Sequence, residues 1–223
     1  KLGELNITSQ EMAQEQYLAV IQGTKYLGLQ TETQAKVLKI AKDTGRMDLL
    51  QSTNETLEQI MNAQLEVTKD QLNLMVNQAA NLADMSVFLG GNGDAVQLLT
   101  KIQAAVTKEY GKSTSDAAMN ILSEIMSNPA NNQYLMSGFL GENYSQIVNL
   151  AQSGQMDEAI KLIISSVKES KSTQVARENI YAANALGADN NIMAIANSEG
   201  DIGDVNKNMS DINNASNDIA TTI

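Results

Sequence analysis

The sequence predicts an all-α protein, and three observations lead to this prediction. A single proline among 223 residues and a shortage of alternating β-branched runs argue against sheets. The hydrophobic content is 43% whereas the aromatic content is 4%, so the core relies on aliphatic side chains and methionine, which suits helices lying side by side. Apolar residues also recur at spacings of three and four over two long segments. A chain of this length can bury a substantial core, in one large domain or two small ones.

Residues 1–53 are predicted to form a helical hairpin. Thr8 or Ser9 can cap the first helix, which ends near Gly23. The second helix begins at Thr31, and the Asp-Thr-Gly step at residues 43–45 ends it, because glycine favours the backbone conformation found just beyond many helices.

Residues 54–90 are predicted to form one long helix, since the stretch from residue 54 to residue 89 contains no glycine or proline. At 1.5 Å per residue such a helix would be roughly 50 Å long. Its apolar face is wider than a two-stranded coiled coil needs, which favours a multi-helix bundle. The residues of this predicted helix-packing seam are Met61, Leu65, Leu72, Met75, Ala79, Leu82 and Leu89.

Residues 91–200 are predicted to form a compact domain of short helices, because glycines divide this region at short intervals. Gly141, Gly154, Gly187 and Gly200 mark the ends of its later helices, as expected of glycines that follow a helix carboxyl end.

Residues 201–223 are predicted to form a coiled-coil stem that continues beyond the given chain. A narrow apolar stripe runs to the last residue, and Asp204, Asp211 and Asp218 repeat every seven residues on the far side. The flanking positions are uncharged, so self-association as a symmetric trimer or larger homo-oligomer is the simplest expectation. An amphipathic helix packed on its own domain is the alternative interpretation. The residues of this predicted oligomerisation seam are Ile202, Val205, Met209, Ile212, Ser216, Ile219 and Ile223.

Charge and missing residue types narrow the class of function. Fifteen basic and 26 acidic residues give a net charge of −11, which disfavours binding to a phosphate backbone or an anionic membrane. The chain has no cysteine and no histidine, so thiol chemistry, disulfides and the commonest general base are excluded. We therefore expect no enzyme, no cofactor, no metal and no sequence-specific nucleic acid. The most hydrophobic stretch, residues 72–89, contains too many polar side chains for a membrane span.

Two short patterns that could carry chemistry have simpler interpretations. Ser165 and Lys168 match a Ser-x-x-Lys nucleophile motif, but its companion elements are absent and no sheet is predicted to hold them. A group of oxygen-bearing residues near the start of the stem could surround Ca²⁺, but its register does not match an EF-hand, which favours an acidic linker. That group is Asn197, Glu199, Asp201 and Asp204.

Two stretches resemble a known family. The run Leu-Gly-Leu-Gln-Thr-Glu-Thr-Gln-Ala at residues 27–35, continuing through Lys-Ile-Ala-Lys-Asp-Thr-Gly at residues 39–45, resembles a recurring helix-turn-helix unit of bacteriophage tail tape measure proteins. Gln-Val-Ala-Arg at residues 174–177, followed by Ala-Leu-Gly-Ala-Asp at residues 185–189, is similar to a helix-then-Leu-Gly unit of the same family. Neither stretch is a catalytic motif, so no catalytic residues carry over.

The resemblance implies a structural virion protein in the tail interior or its hub. Such a protein sets tail length during assembly, contacts tail hub or tail tube proteins and assists DNA ejection. A mostly negative surface would also limit its adhesion to passing DNA. The alternatives are a secreted helical filament or translocator subunit similar to flagellin, and a helical ligand-binding module.

Overall fold

The computed structural model describes residues 29–88, 93–127, 140–172 and 190–220, together with the single positions 8, 10 and 13. For residues 86–88, 171–172 and 216–220 it describes the backbone alone. All regular secondary structure in these ranges is α-helical, so the prediction of an all-α protein is confirmed. The helices are α1 (Thr31–Thr44), α2 (Leu49–Asn62), α3 (Lys69–Phe88), α4 (Ala95–Tyr110), α5 (Lys112–Ser127), α6 (Asn143–Gln152), α7 (Met156–Ser172), α8 (Asn190–Ala196) and α9 (Ile202–Ala220).

The chain divides into two compact units. Unit 1 comprises residues 1–104 and 207–223, and unit 2 comprises residues 105–206. The boundaries fall inside α4 and α9, so each of these helices belongs partly to each unit. The four-segment organisation drawn from the sequence pattern stays a prediction.

In unit 1, helix α1 packs against both α2 and α3. The ammonium group of Lys36 donates to the side-chain oxygens of Asn77 at 2.7 Å and Asn81 at 3.0 Å. One turn further along α1, Lys39 contacts the carboxylate of Asp84 at 2.5 Å. The polar residues of α3 therefore serve as acceptors for lysines of α1 along the edge of the packed face. Large, fully buried side chains of this unit are Ile40, Leu49, Leu57 and Ile60.

The turn between α1 and α2 is built on a glycine. Helix α1 has the bounds predicted for the second helix of the hairpin. Gly45 follows it with a φ of 71°, a left-handed conformation that suits glycine, and its N–H donates to the carbonyl of Lys42. The first predicted helix falls mostly outside the described residues, so the hairpin itself stays a prediction.

The prediction of a single helix over residues 54–90 is wrong. Helix α2 ends at Asn62 and α3 begins at Lys69. Between them, Gln64 and Glu66 adopt positive φ values of 54° and 58°. This conformation is uncommon for residues that carry a side chain. The helix therefore breaks at a place where the sequence has neither glycine nor proline.

A reciprocal cap explains why a new helix starts after this break. The N–H of Thr68 donates to the side-chain oxygen of Gln71 at 2.8 Å, and the N–H of Gln71 donates to the hydroxyl of Thr68 at 3.3 Å. This pair is a capping box, which satisfies backbone N–H groups that have no carbonyl partner at a helix start. The Thr-x-x-Gln pattern therefore marks a helix boundary inside the stretch that looked continuous.

The break also changes which residues share a face. Met61, assigned to the packing seam, is 40% exposed because it belongs to α2, whose buried face is set separately from that of α3. Leu89 lies outside the described residues. The seam residues that are buried are Leu65, Leu72, Met75, Ala79 and Leu82.

In unit 2, helix α8 packs against α5 and α7, while α6 packs against α7. The α6–α7 turn closes with a Schellman motif: the N–H of Gln155 donates to the carbonyl of Leu150 at 2.9 Å, and that of Gly154 to the carbonyl of Ala151 at 3.2 Å. Gly154 has a φ of 81° and follows the helix, as predicted, whereas Gly187 lies outside the described residues. Large, fully buried side chains of this unit are Ile121, Leu122, Ile125, Ile147, Met156 and Ile160.

Candidate functional site

Residues 197–201 connect α8 to α9 in unit 2, and we call this segment the strap. Its first residues close the end of α8, since the N–H groups of Asn197 and Ser198 donate to the carbonyls of Met193 and Ile195 at 3.1 Å each. The ammonium group of Lys168, on α7, donates to the carbonyl of Ser198 at 2.8 Å. The strap is thus tied to α7 by a charged hydrogen bond.

The middle of the strap lies against the last residue of α4. A Cβ added to Gly200 would lie 2.7 and 2.8 Å from two ring carbons of Tyr110, so the glycine backbone rests directly on the ring. The ammonium group of Lys168 is 4.8 Å from the centre of the same ring, within the range of a cation–π interaction. Tyr110 is buried, and it therefore joins α4, α7 and the strap within unit 2.

The prediction that Gly200 ends the helix over residues 190–196 is wrong. Helix α8 ends at Ala196, and the backbone of Asn197 and Ser198 already closes it. Gly200 instead has a φ of 139°, in the region that favours glycine, and its role is the close approach to Tyr110.

Asp201 ends the strap and begins α9. Its N–H donates to a carboxylate oxygen of Glu109 at 2.9 Å. Its own carboxylate accepts the N–H of Gly203 at 2.6 Å, which is the bond that an aspartate makes at the start of a helix. The negative charge also lies at the end of α9 where the helix dipole favours an anion. Asp201 therefore anchors the strap and caps α9 at once.

Burial and nearby carboxylates raise the pKa of Tyr110 to about 12. Burial is the largest cause, and the negative charges of Asp201, Glu109 and Asp204 add to it because they disfavour a phenolate. Three carboxylates thus disfavour ionisation of the same phenol, and the Lys168 ammonium lies over its ring.

We expect the Tyr110 phenol to make the protein sensitive to alkali. The folded-state pKa of about 12 lies above the ordinary value of 10.0, so between these values the unfolded chain ionises this phenol while the folded chain does not. The resulting stability is fully present below pH 10 and is lost as the pH rises toward 12. Urea unfolding from pH 8 to 11.5 should show a smaller alkaline loss of stability for Tyr110→Phe than for wild type. Parallel pH profiles would contradict this expectation.

A groove of about 400 Å³ lies between α6, α7 and the first turns of α9 in unit 2. Lys161 lines this groove. Its ammonium group lies 2.5 Å from a carboxylate oxygen of Glu158 and 3.6 Å from one of Asp157. Two carboxylates therefore contact this amine, and both polar and apolar side chains line the groove. Such a lining can contact an apolar group and also offer hydrogen bonds. Its apolar and amide residues are Leu150, Leu162, Ile202, Gln146, Gln155 and Asn206.

The residues of the predicted oligomerisation seam fall into four groups. Val205, Met209 and Ile212 are buried within the single chain, and Ile202 is half-buried at the groove. Ser216 and Ile219 lie on α9 where the backbone alone is described, and Ile223 lies outside the described residues. The burial of Val205 to Ile212 is what the alternative interpretation, a helix packed on its own domain, expects; the oligomeric stem stays a prediction.

The Ser-x-x-Lys match and the candidate cation-binding group both contain residues with structural roles. The hydroxyl of Ser165 donates to the carbonyl of Lys161 at 2.9 Å within α7, whereas Lys168 reaches the strap. Within the described residues, no group of three or more acidic side chains could hold a metal ion. Asp201, one of the four candidate cation ligands, instead caps α9.

Sequence reasoning missed Tyr110 and Lys168 as partners of the strap. They are 58 positions apart in the sequence, and no short motif joins them. One signal was available, since an aspartate directly before an apolar periodic stretch is a typical start of a helix. Asp201 could therefore have been recognised as a cap and not as part of an acidic linker.

No protein-family model, curated protein or solved structure matches this chain. Across the described part of the chain, none of the helices combines the length and the hydropathy that a membrane crossing needs.

Proposed function

We propose that this chain is a structural, self-associating helical module, similar to part of a bacteriophage tail tape measure protein. Helix α9 is the observation that carries the proposal. It is continuous from Ile202 to Ala220 and bears the heptad stripe along its length. The stripe residues Val205, Met209 and Ile212 lie on one side, where the single chain already covers them, while Asp204 and Asp211 are exposed on the other. A stripe of this spacing is suited to pairing with an identical helix.

The helical unit that carries the family resemblance also supports this proposal. Helix α1 covers most of that stretch, ends at a left-handed Gly45 and is followed after a short turn by α2. This is the helix-turn-helix arrangement that the resemblance implies. The net charge of −11 fits a protein that lies beside DNA without adhering to it.

The proposed location is the virion, in the tail interior or hub. The proposed partners are further copies of this chain and tail hub or tail tube proteins, and the proposed role is to set tail length and assist DNA ejection. The sequence of the full-length protein would distinguish this role from its alternatives. Hundreds of further helical residues would support a tape measure protein, whereas a membrane span would favour a ligand-binding module.

Self-association can be tested by filling the polar gap in the heptad stripe. Ser216→Ile completes the apolar series of α9, and each added apolar group buried between helices favours association. We expect the molar mass from light scattering to rise with concentration for the wild type. For the variant, the same rise should occur at a concentration about tenfold lower, since tenfold corresponds to about 1.4 kcal/mol.

Ser210→Ile is the matched control, because Ser210 is exposed on α9 and lies off the heptad stripe. It adds the same side chain to the same helix, and we expect its mass profile to match the wild type. A monomeric mass at every concentration for wild type and Ser216→Ile would contradict the proposal. Equal association of the two variants would show general adhesion by an added isoleucine.

A further inference from the structure

Polar and steric contacts hold the strap in place, and little apolar burial contributes. Glu199, Gly200 and Asp201 are all exposed. The contacts that fix the strap to α4 and α7 are the hydrogen bonds from Lys168 and to Glu109, and the packing of Gly200 on Tyr110. A segment held this way can open without first separating large apolar side chains of its own.

Lys168 is central because it contacts both the strap and the Tyr110 ring on which the strap packs. It donates to the Ser198 carbonyl and lies over the Tyr110 ring. The carboxylates of Glu109 and Asp201 act electrostatically on the same Tyr110 phenol. Removing the ammonium group would take away both the hydrogen bond to the strap and the cation on the Tyr110 ring.

The strap also determines how α9 begins. Asp201 accepts the N–H of Gly203 through its side chain and the N–H of Val205 through its carbonyl, at 2.6 and 3.3 Å. Opening the strap would therefore displace the cap of α9. Val205, now fully buried, lies one turn beyond that cap.

We infer that residues 197–201 act as a latch on the first turns of α9. With the latch closed, Val205 is buried and Ile202 is half-buried, so these seam residues are not available to another chain. With the latch open, the same residues become exposed for pairing with α9 of a second copy. This last step rests on the proposed function, whereas the latch itself rests on the contacts within unit 2.

The absence of cysteine makes the latch directly measurable. Val205→Cys places a single thiol at a fully buried position of α9, and its reaction rate with an aromatic disulfide reagent reports how often that position opens. We expect Lys168→Met to increase this rate at least tenfold, about the effect of losing a charged hydrogen bond together with a cation–π contact. Lys168→Arg, which retains the cation, should increase it much less.

Val106→Cys is the matched control, because Val106 is also fully buried in unit 2 and lies on α4, the helix of Tyr110. Lys168→Met should leave the labelling rate at this position nearly unchanged. A similar increase at both thiols would show general loosening of the unit and would overturn the latch. An unchanged labelling rate at position 205 after Lys168→Met would also overturn the latch.

Light scattering on Lys168→Met separates the latch from the proposed function. A raised mass together with faster labelling at position 205 supports both. Faster labelling at position 205 alone, with a monomeric mass at every concentration, supports the latch and contradicts self-association through α9.

Discussion

Replacing Ile212 by alanine is expected to lower the free energy of unfolding by about 3 kcal/mol, as is typical for truncating a fully buried isoleucine. The side chain has no exposed surface within the single chain. Helix α9 therefore contributes to the stability of the folded monomer. Chemical denaturation should show this loss at protein concentrations low enough for the chain to be monomeric.

Asp211→Ala provides the control for this prediction. Asp211 is the neighbouring residue on α9 but is exposed, so we expect a change within about 0.5 kcal/mol. A small effect of Ile212→Ala would show that α9 is not packed on its own chain. An effect that appears only at high concentration would show that the stripe is buried by association.

Replacing Gly200 by alanine is expected to destabilise the protein by about 3 kcal/mol, because two costs add at this position. A φ of 139° disfavours any residue with a Cβ. The new Cβ would also lie within 2.8 Å of the buried Tyr110 ring and 2.9 Å from a carboxylate oxygen of Glu109. Thermal and denaturant unfolding would both measure this loss.

Gly154→Ala is a control that places alanine at a positive φ without a close contact. Gly154 also has a positive φ, of 81°, but its Cβ would meet nothing within 4 Å. We therefore expect a loss of about 1 kcal/mol there. If the two substitutions cost the same, the close contact between the strap and Tyr110 would make no measurable contribution to stability.

Composition and helix-end residues predicted much of the fold. The aliphatic, proline-poor sequence indicated helices, and the glycines at positions 45 and 154 end helices as expected. The break between α2 and α3 was missed because Gln64 and Glu66 adopt a conformation that their residue types rarely take. The Thr68–Gln71 cap is a local signal of a helix start, and the heptad spacing that continues through the break conceals it.

The candidate site was less predictable, for two physical reasons. Tertiary packing brings Tyr110, Lys168 and Gly200 together, and no local sequence pattern predicts these contacts. The heptad stripe of α9 is ambiguous for a different reason. Its spacing predicts one apolar face but not whether the same chain or a second copy covers that face. In the folded chain Val205 and Ile212 are buried without a second molecule.

The break between α2 and α3 has a consequence for the proposed role in setting tail length. A continuous helix converts residue number into length at a fixed rise of about 1.5 Å per residue. In this protein the helix predicted to be continuous is divided into α2 and α3, and α1 packs against both. If the proposed tail role holds, residues inserted into this region would enlarge a folded unit and would not lengthen a continuous helix. Contour length and tail length would then be uncoupled across this part of the protein.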